Sequence, residues 1–322
     1  MNKDIAEKRL EDCNDVFADV VNVLAFGGEK VIKEENLVSE PTEAVTRYRD
    51  GKLRKGYRDV RKRDVENGSF QLICSLENQD GIDNTMPERI MGYDYAAYED
   101  QIRAIMDENK KAGTPAYTKR IHDDQLLAPA VSLVLHWGEK EWKRPLRLHD
   151  MLKFPPGKEK YLKKLVPDYP INLINMKNLP EEVRQKFQSD FRVVAEYAAS
   201  GNDPGKIREL LQNENTEIRH PEELMDVLSA MSGDERYREM ISDVVNKRES
   251  EDENMRCKVL DSFIEDGIAL ERKRFSDLTR CLLRDSREND LLRAGEDDIF
   301  YHQLCREYGI DMITRPAANS NP

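Results

Sequence analysis

Glu77 and Gln79 stand two residues apart at the end of the alternating run Phe70 to Leu76. On an extended chain that spacing points both side chains to the same side. Asp59 lies in a second extended stretch, Tyr57 to Arg61, shortly before that run. Antiparallel pairing of the two stretches would set its carboxylate beside Glu77. Two adjacent carboxylates make a hard, oxygen-rich site of the kind Mg2+ or Mn2+ prefers. Such an ion polarises a phosphodiester and acidifies a water, which supplies nucleophile and charge stabilisation together. On spacing alone, a solvated strand end is the stronger reading, because acidic residues are common and a lone E-x-Q arises by chance. Convergence separates the two. Carboxylates that meet in a cleft without cationic partners demand an ion, whereas divergent side chains remove the basis for cleavage.

Other residue types bear on the same chemistry. Lys52, Arg54, Lys55, Arg58, Arg61, Lys62 and Arg63 place seven cations in twelve positions around Asp59. They read either as phosphate contacts that position a duplex or as the solvated edge of a hairpin. Arg89 and Tyr93, one helical step apart, face either the site or solvent. Asn78 offers a backbone carbonyl as a further ligand. His122, His136, His149, His220 and His302 are scattered, with no zinc spacing, and read as structural. Trp137 and Trp142 read as packing residues. No Gly-rich phosphate loop is present, so no nucleotide cofactor is expected.

The elements that must position these residues alternate in type. Asp4 to Phe26 carries apolar residues at Ile5, Leu10, Phe17, Val20, Val21, Val23 and Leu24, which predicts one amphipathic helix stopped by Gly27 and Gly28. Asp50-Gly51 suggests a hairpin. Phe70 to Leu76 predicts a strand. Thr85 and Glu88 form a capping-box pattern opening a helix whose stripe is Met91, Tyr95, Tyr98, Ile102 and Ile105. Ala128 to His136 and Ile171 to Met176 predict strands covered on both faces. Beyond Leu179 the pattern is helical, over Glu181 to Ala199, Lys206 to Leu211, Pro221 to Met231 and two or three short helices between Met255 and Ile310. Val244 to Asn254 is a charged connection, and Arg315 to Pro322 a frayed tail.

The 322 residues suffice for one sizeable core and an appended region. No apolar run approaches the roughly 20 residues of a membrane span, and the first residues lack a signal core, so the expected location is the cytoplasm, without membrane association. Five cysteines without a C-x-x-C pair indicate neither disulfides nor zinc. The net charge of −12 opposes a uniformly basic DNA-binding domain, so any nucleic-acid contact must be local.

Several strings carry a resemblance: Asn14-Asp15-Val16-Phe17-Ala18-Asp19, Arg58-Asp59-Val60, Leu76-Glu77-Asn78-Gln79, Met86-Pro87-Glu88-Arg89 and Gly92-Tyr93-Asp94. Val131 to His136, Pro145 to Leu152 and Ser189 to Arg192 extend it over about residues 10–200, and Leu291 to Ala294 with Glu307 to Ile310 fit more loosely. In order and spacing the chain resembles the PD-(D/E)xK nuclease-family transposases, relatives of the recombination-promoting nucleases of bacteria. The resemblance implies an α/β, restriction-endonuclease-like PD-(D/E)xK core, a mixed sheet flanked by helices, over residues 1–180. An α-helical extension over 181–314 and a disordered tail over 315–322 would follow. It implies a magnesium- or manganese-dependent endodeoxyribonuclease that promotes recombination or transposition. Asp59, Glu77 and Gln79 would form the catalytic centre, with Asp59, Glu77 and the Asn78 carbonyl as metal ligands. Asp15 and Asp19 are candidate extra acidic ligands. Arg54, Lys55, Arg58, Arg61, Lys62 and Arg89 would meet DNA. Gln79 stands where the wider superfamily has lysine. Its amide can donate to a water or phosphate oxygen but cannot act as a base.

Two rival readings stand beside this one. The first is a catalytically weak or inactive module that binds DNA or protein, which the glutamine and the acidity favour. The second is a helical interaction protein, which the strands at Phe70 and Ala128 disfavour. Self-association through the C-terminal helices is a further expectation.

Overall fold

The computed structural model describes residues 3–47, 53–57, 59–66, 68–113, 121–201, 218–233, 237, 272–285, 287–295 and 297–310. The chain divides into two compact units, residues 1–202 with 217–227, and residues 203–216 with 228–322.

The first unit is an α/β fold. Its five-stranded sheet has the order β1-β4-β5-β6-β7, built from β1 (Leu37–Ser39), β4 (Val60–Glu66), β5 (Ser69–Gln79), β6 (Ala130–His136) and β7 (Asn172–Asn175). β1, β4 and β5 pair antiparallel, whereas β5, β6 and β7 pair parallel. The expected hairpin forms between β2 (Glu43–Arg47) and β3 (Leu53–Tyr57), a separate two-stranded sheet; Asp50-Gly51 itself lies outside the described residues. β5 is the centre, and from Ile73 to Asn78 it is buried on both faces.

Parallel pairing fixes which side chains share a face. Glu77 is level with Val134, and Asn78 with Leu135. Val134 packs with Met86, Ile90, Tyr93, Trp142 and Ile171 under α3 (Met86–Lys111). The opposite face meets α1 (Lys3–Glu11), α2 (Asn14–Phe26) and, through the Trp137–Phe191 ring pair, α7 (Phe191–Ala199).

Three sequence expectations need correction. The first helix is two helices, broken at Asp12 and Cys13, and Ile5 faces solvent. The break holds because β4 sends in a buried ammonium: Lys62 Nζ donates to the Asp12 carbonyl at 2.7 Å and to Asn14 Oδ1 at 2.8 Å, and pairs with Asp12 Oδ1 at 2.9 Å. The Asp12 carbonyl, just past the end of α1, is thereby met from inside the fold. Gly27, at φ 67°, ends α2 as expected.

The second correction is the phase of α3. Its buried face is Met86, Ile90, Tyr93, Asp94 and Ala97, one position out from the expected stripe, and Tyr95 is 59% exposed. Asp94 belongs to the buried face because Ser132 Oγ and Tyr169 Oη donate to it, at 2.7 and 2.5 Å, which hydropathy cannot reveal. The capping box does not form either. Asp83 takes the N-terminal role, accepting from the Thr85 amide and hydroxyl, both at 2.7 Å.

Third, Glu181 to Ala199 is not one helix but α6 (Glu181–Arg184) and α7. Asp19 of α2 holds the turn between them, its Oδ2 accepting from the Gln188 and Ser189 amides, each at 2.8 Å, and from Ser189 Oγ at 2.7 Å.

In the second unit the described residues are helical over 272–284, Glu288–Ala294 and Asp298–Glu307. Leu278, Leu282, Ala294, Tyr301, Leu304 and Cys305 form its core. The expectations on Lys206 to Leu211, Val244 to Asn254 and Arg315 to Pro322 fall outside the described residues.

Candidate active site

The ends of β4 and β5 bring the motif residues together. The register Val60↔Leu76 sets Asp59, one residue before β4, against the end of β5. Tyr57 to Arg61 is not continuously extended, because the chain bends at Asp59 between β3 and β4. Strand alternation therefore does not fix the direction of its carboxylate. Asp59 Oδ2 accepts from the Asn78 amide at 2.5 Å, and Oδ1 pairs with Lys8 Nζ of α1 at 2.8 Å. Glu77 points to the α3 side, where its Oε1 accepts from Arg89 Nη2 and, at 3.1 Å, from Gln79 Nε2. Asn78 points the other way. Its Nδ2 donates to Glu11 Oε2 at 2.7 Å, and its Oδ1 accepts from Trp137 Nε1 at 2.8 Å.

Asp59 and Glu77 are thus neighbours at one end of the sheet, each with a cation of its own: Lys8 on Asp59, Arg89 on Glu77. Arg89 also binds Asp83 at 2.8 Å and the Tyr93 hydroxyl at 3.0 Å. Burial works against the charge on Arg89, yet the bonds to Asp83 and Tyr93 and the charge of Glu77 hold its pKa above the ordinary value. Lys8 is likewise held above its ordinary value, because Asp59 and Asp4 outweigh its partial burial.

Two further acids, Glu7 and Glu11, face this end from α1. They occupy its buried side together with Ala6 and Leu10. Burial raises Glu7 to about 8, with Lys3 opposing and Asp80 and Asp59 adding to the rise. Burial and the neighbouring Glu7 drive Glu11 well above the ordinary range, against the bond from Asn78. Asp59 is raised too, by burial first, with Lys8 and the Asn78 amide opposing. An open cleft of about 490 Å3 runs beside Asp59, its wall including Lys8, Asp12, Ser39, Glu40 and Arg61.

The sequence missed Glu7, Glu11 and Lys8. A signal was present: the two glutamates fall on the helix face that also carries Leu10, where a soluble protein otherwise places apolar residues. The proposed extra ligands lie elsewhere. Asp15 Oδ1 contacts His220 Nε2 at 2.7 Å, and Asp19 caps the turn before α7. Of the basic residues, Lys62 is 1% exposed and bonded inside, and Arg61 is buried with Asp100 at 3.6 Å. Neither presents its charge to a duplex. The side chains of Arg54 and Lys55, and all of Arg58, lie outside the described residues.

As a metal site the cluster fits in donor chemistry. Every acidic donor is a carboxylate oxygen, and Glu11 Oε1 is buried with no hydrogen-bond partner. In side-chain arrangement Lys8 and Arg89 stand on the two motif carboxylates. Among the described residues no group of three or more His, Cys, Asp or Glu is disposed to hold a metal.

Residues 40–198, which include β4, β5, α3, β6 and β7, match the model of a family described as "Putative transposase, YhgA-like". No curated protein and no solved structure matches the chain.

Proposed function

We propose, on the premise that the chain belongs through residues 40–198 to the YhgA-like transposases, that its first unit is a PD-(D/E)xK-type nuclease core hydrolysing DNA phosphodiesters with magnesium or manganese. The observation that carries this reading is the register of β4 on β5, which sets Asp59 against the strand end bearing Glu77 and Gln79. Glu7 and Glu11 add buried acid at the same end. Asp59 and Glu77 would hold the ion with the Asn78 carbonyl, and Glu11, through its unbonded oxygen, stands closest in chemistry to a further ligand. When bound, the ion supplies a water acidified for attack and an electrophile for the phosphodiester.

The chain's own groups do the rest. Gln79 donates its amide hydrogen to Glu77 and holds that carboxylate in place; the same amide can donate to a phosphate oxygen. Lys8 stays protonated at neutral pH, so it contributes charge beside Asp59 and takes no proton. Arg89 does the same beside Glu77. For the ion to bind, Lys8 must swing off Asp59, and the flexible stem of a lysine permits that. DNA contacts outside the centre would fall to Arg54, Lys55 and Arg58 of the basic run.

One observation favours a second reading, a DNA-binding module without cleavage. Both motif carboxylates already carry an organic cation, as a silent site would. Plasmid nicking by the purified full chain with Mg2+ or Mn2+, beside Asp59→Ala, Glu77→Ala and an EDTA control, separates the two. Metal-dependent nicking that falls to background in both variants is the expected result. Folded protein that binds plasmid but never nicks it supports the module. Nicking that survives in both variants overturns the assigned centre.

A further inference from the structure

The connection from β6 to β7 carries an excursion that is exposed among the described residues. Its neck is tied. Leu148 N donates to Tyr169 O at 3.0 Å, His149 N to Asp168 Oδ1 at 2.9 Å, and the His149 ring meets Val166 O at 2.8 Å. Beyond the neck, residues 152–165 are exposed apart from the partly covered Phe154 and Leu162, and α5 (Glu159–Leu165) buries no residue. A seven-residue helix with no buried face has little to hold it in water except its tied ends. Long ordered loops of this kind are more often functional than not.

Its charge is unlike that of the chain around it. Lys153, Lys158, Lys160, Lys163 and Lys164 stand against Glu159 alone, a local +4 in a chain of −12. Lys163 pairs with Glu159 at 2.6 Å and lies over the Phe154 ring. Among the described residues Lys153, Lys158, Lys160 and Lys164 enter no ion pair. The cations near the candidate centre are spent internally: Lys3, Lys8, Arg61, Lys62 and Arg89 are all paired. Tyr161 and Leu165 are 68% and 77% exposed, too little apolar surface for a membrane anchor.

Resting on the reading of the protein as DNA-acting, we propose that residues 152–165 form a second contact surface for the DNA backbone, with phosphates taken by Lys153, Lys158, Lys160 and Lys164. Lysines on flexible stems meet phosphates as point charges, so the contact fixes position and carries no sequence information. The surface resolves the conflict between an acidic chain and a polyanionic partner. Net charge repels at long range, while an exposed lysine cluster releases counterions locally.

The test is duplex binding by the full chain in EDTA, which prevents cleavage, followed by fluorescence anisotropy of a short labelled duplex between about 0.05 and 0.2 M salt. The quadruple variant K153Q/K158Q/K160Q/K164Q changes only exposed side chains, and an unchanged melting temperature confirms that it folds. The expected result is a Kd raised about tenfold or more and a log K against log salt slope reduced by about 3 to 4. Equal affinity and equal slope in wild type and variant overturn the surface while leaving the nuclease reading intact. Failure of the wild type to bind any duplex overturns both. Loss of binding to anionic phospholipid vesicles with duplex binding unchanged assigns the patch to a membrane and overturns the proposal.

Discussion

Glu7 and Glu11 lie one helical turn apart on the buried side of α1, where each must either keep its proton or meet a cation. Burial pushes Glu7 up to about 8 against an ordinary 4.5, so between those pH values the folded chain holds a proton there that the unfolded chain has released. The stability this group contributes is complete below about 4.5 and is lost as pH rises through about 8. Wild type should weaken over that window and Glu7→Gln should weaken less, because Glu11 and Asp59 are raised as well. Thermal melts of both at about pH 5 and pH 8.5 check this, with the variant's advantage growing as pH rises. A gap that stays constant with pH places the glutamate in water. Arg89 carries a second prediction. Glu77 is buried and Arg89 is 31% exposed at its side chain, so solvent screening discounts the pair. Arg89→Met should cost about 1–3 kcal/mol of unfolding free energy, with Glu77→Gln in the same background restoring part of it. Urea titration of the single and double variants measures both.

The break between α1 and α2 shows how an element boundary is decided from across the fold. Asp12 and Cys13 contain no proline or glycine, and apolar residues continue on both sides. Lys62 fills the break, with its ammonium on the Asp12 carbonyl, Asn14 Oδ1 and, at 3.1 Å, Ser39 Oγ. Lys62→Met keeps the stem and removes the donor, leaving these acceptors short of a partner. It should lower stability by about 2 kcal/mol or more, read by urea unfolding of the full chain. A change below about 0.5 kcal/mol would mean that the two helices need no such clamp. The same break lets α1 turn its acids toward the ends of β4 and β5, so the clamp on Lys62 and the composition of the site belong together. At Gly138, a Cβ would stand 2.2 Å from the Asp80 carbonyl oxygen, backbone that cannot easily retreat. Glycine there lets the loop after β6 pass close to the end of β5.

At the scale of the molecule, charge balance links stability to metal. At the end of β5, Glu7, Glu11 and Asp59 stand against Lys3 and Lys8 on the α1 side, while Glu77 pairs with Arg89 on the α3 side. A divalent ion bound there stabilises the folded state by mass action, about 2.7 kcal/mol at a hundred times its Kd. For a unit of this size that is a rise of roughly 5–10 °C in melting temperature. Mg2+ or Mn2+ at about pH 8 should raise the Tm of wild type and leave that of Asp59→Ala and Glu11→Gln unmoved. Equal Tm with and without the ions would count against a metal at this end, independently of any activity.

Much was legible in the sequence because it depends on local pattern. The alternation of Phe70 to Leu76, the apolar run of Ala128 to His136 and the hairpin signal around Asp50-Gly51 read correctly as strands, since period and propensity act within a few residues. The approach of Asp59 to the strand end that carries E-x-Q was legible as well, because short antiparallel connections bring sequence neighbours together, but the turn of the Asp59 carboxylate to Lys8 of α1 and of Glu77 to Arg89 of α3 was not. The rest was decided by tertiary contact. Tyr95 looked apolar enough to be buried and Asp94 did not, yet Ser132 and Tyr169, remote in sequence, supply the donors that draw the aspartate inside. Local spacing leaves Lys62 open between a phosphate contact and a hairpin edge, and Asp15 and Asp19 as no more than candidate ligands; the end of α1, His220 and the turn before α7 decide them. A charged side chain goes where its partners are, and partners tens to hundreds of residues away leave no trace in local spacing.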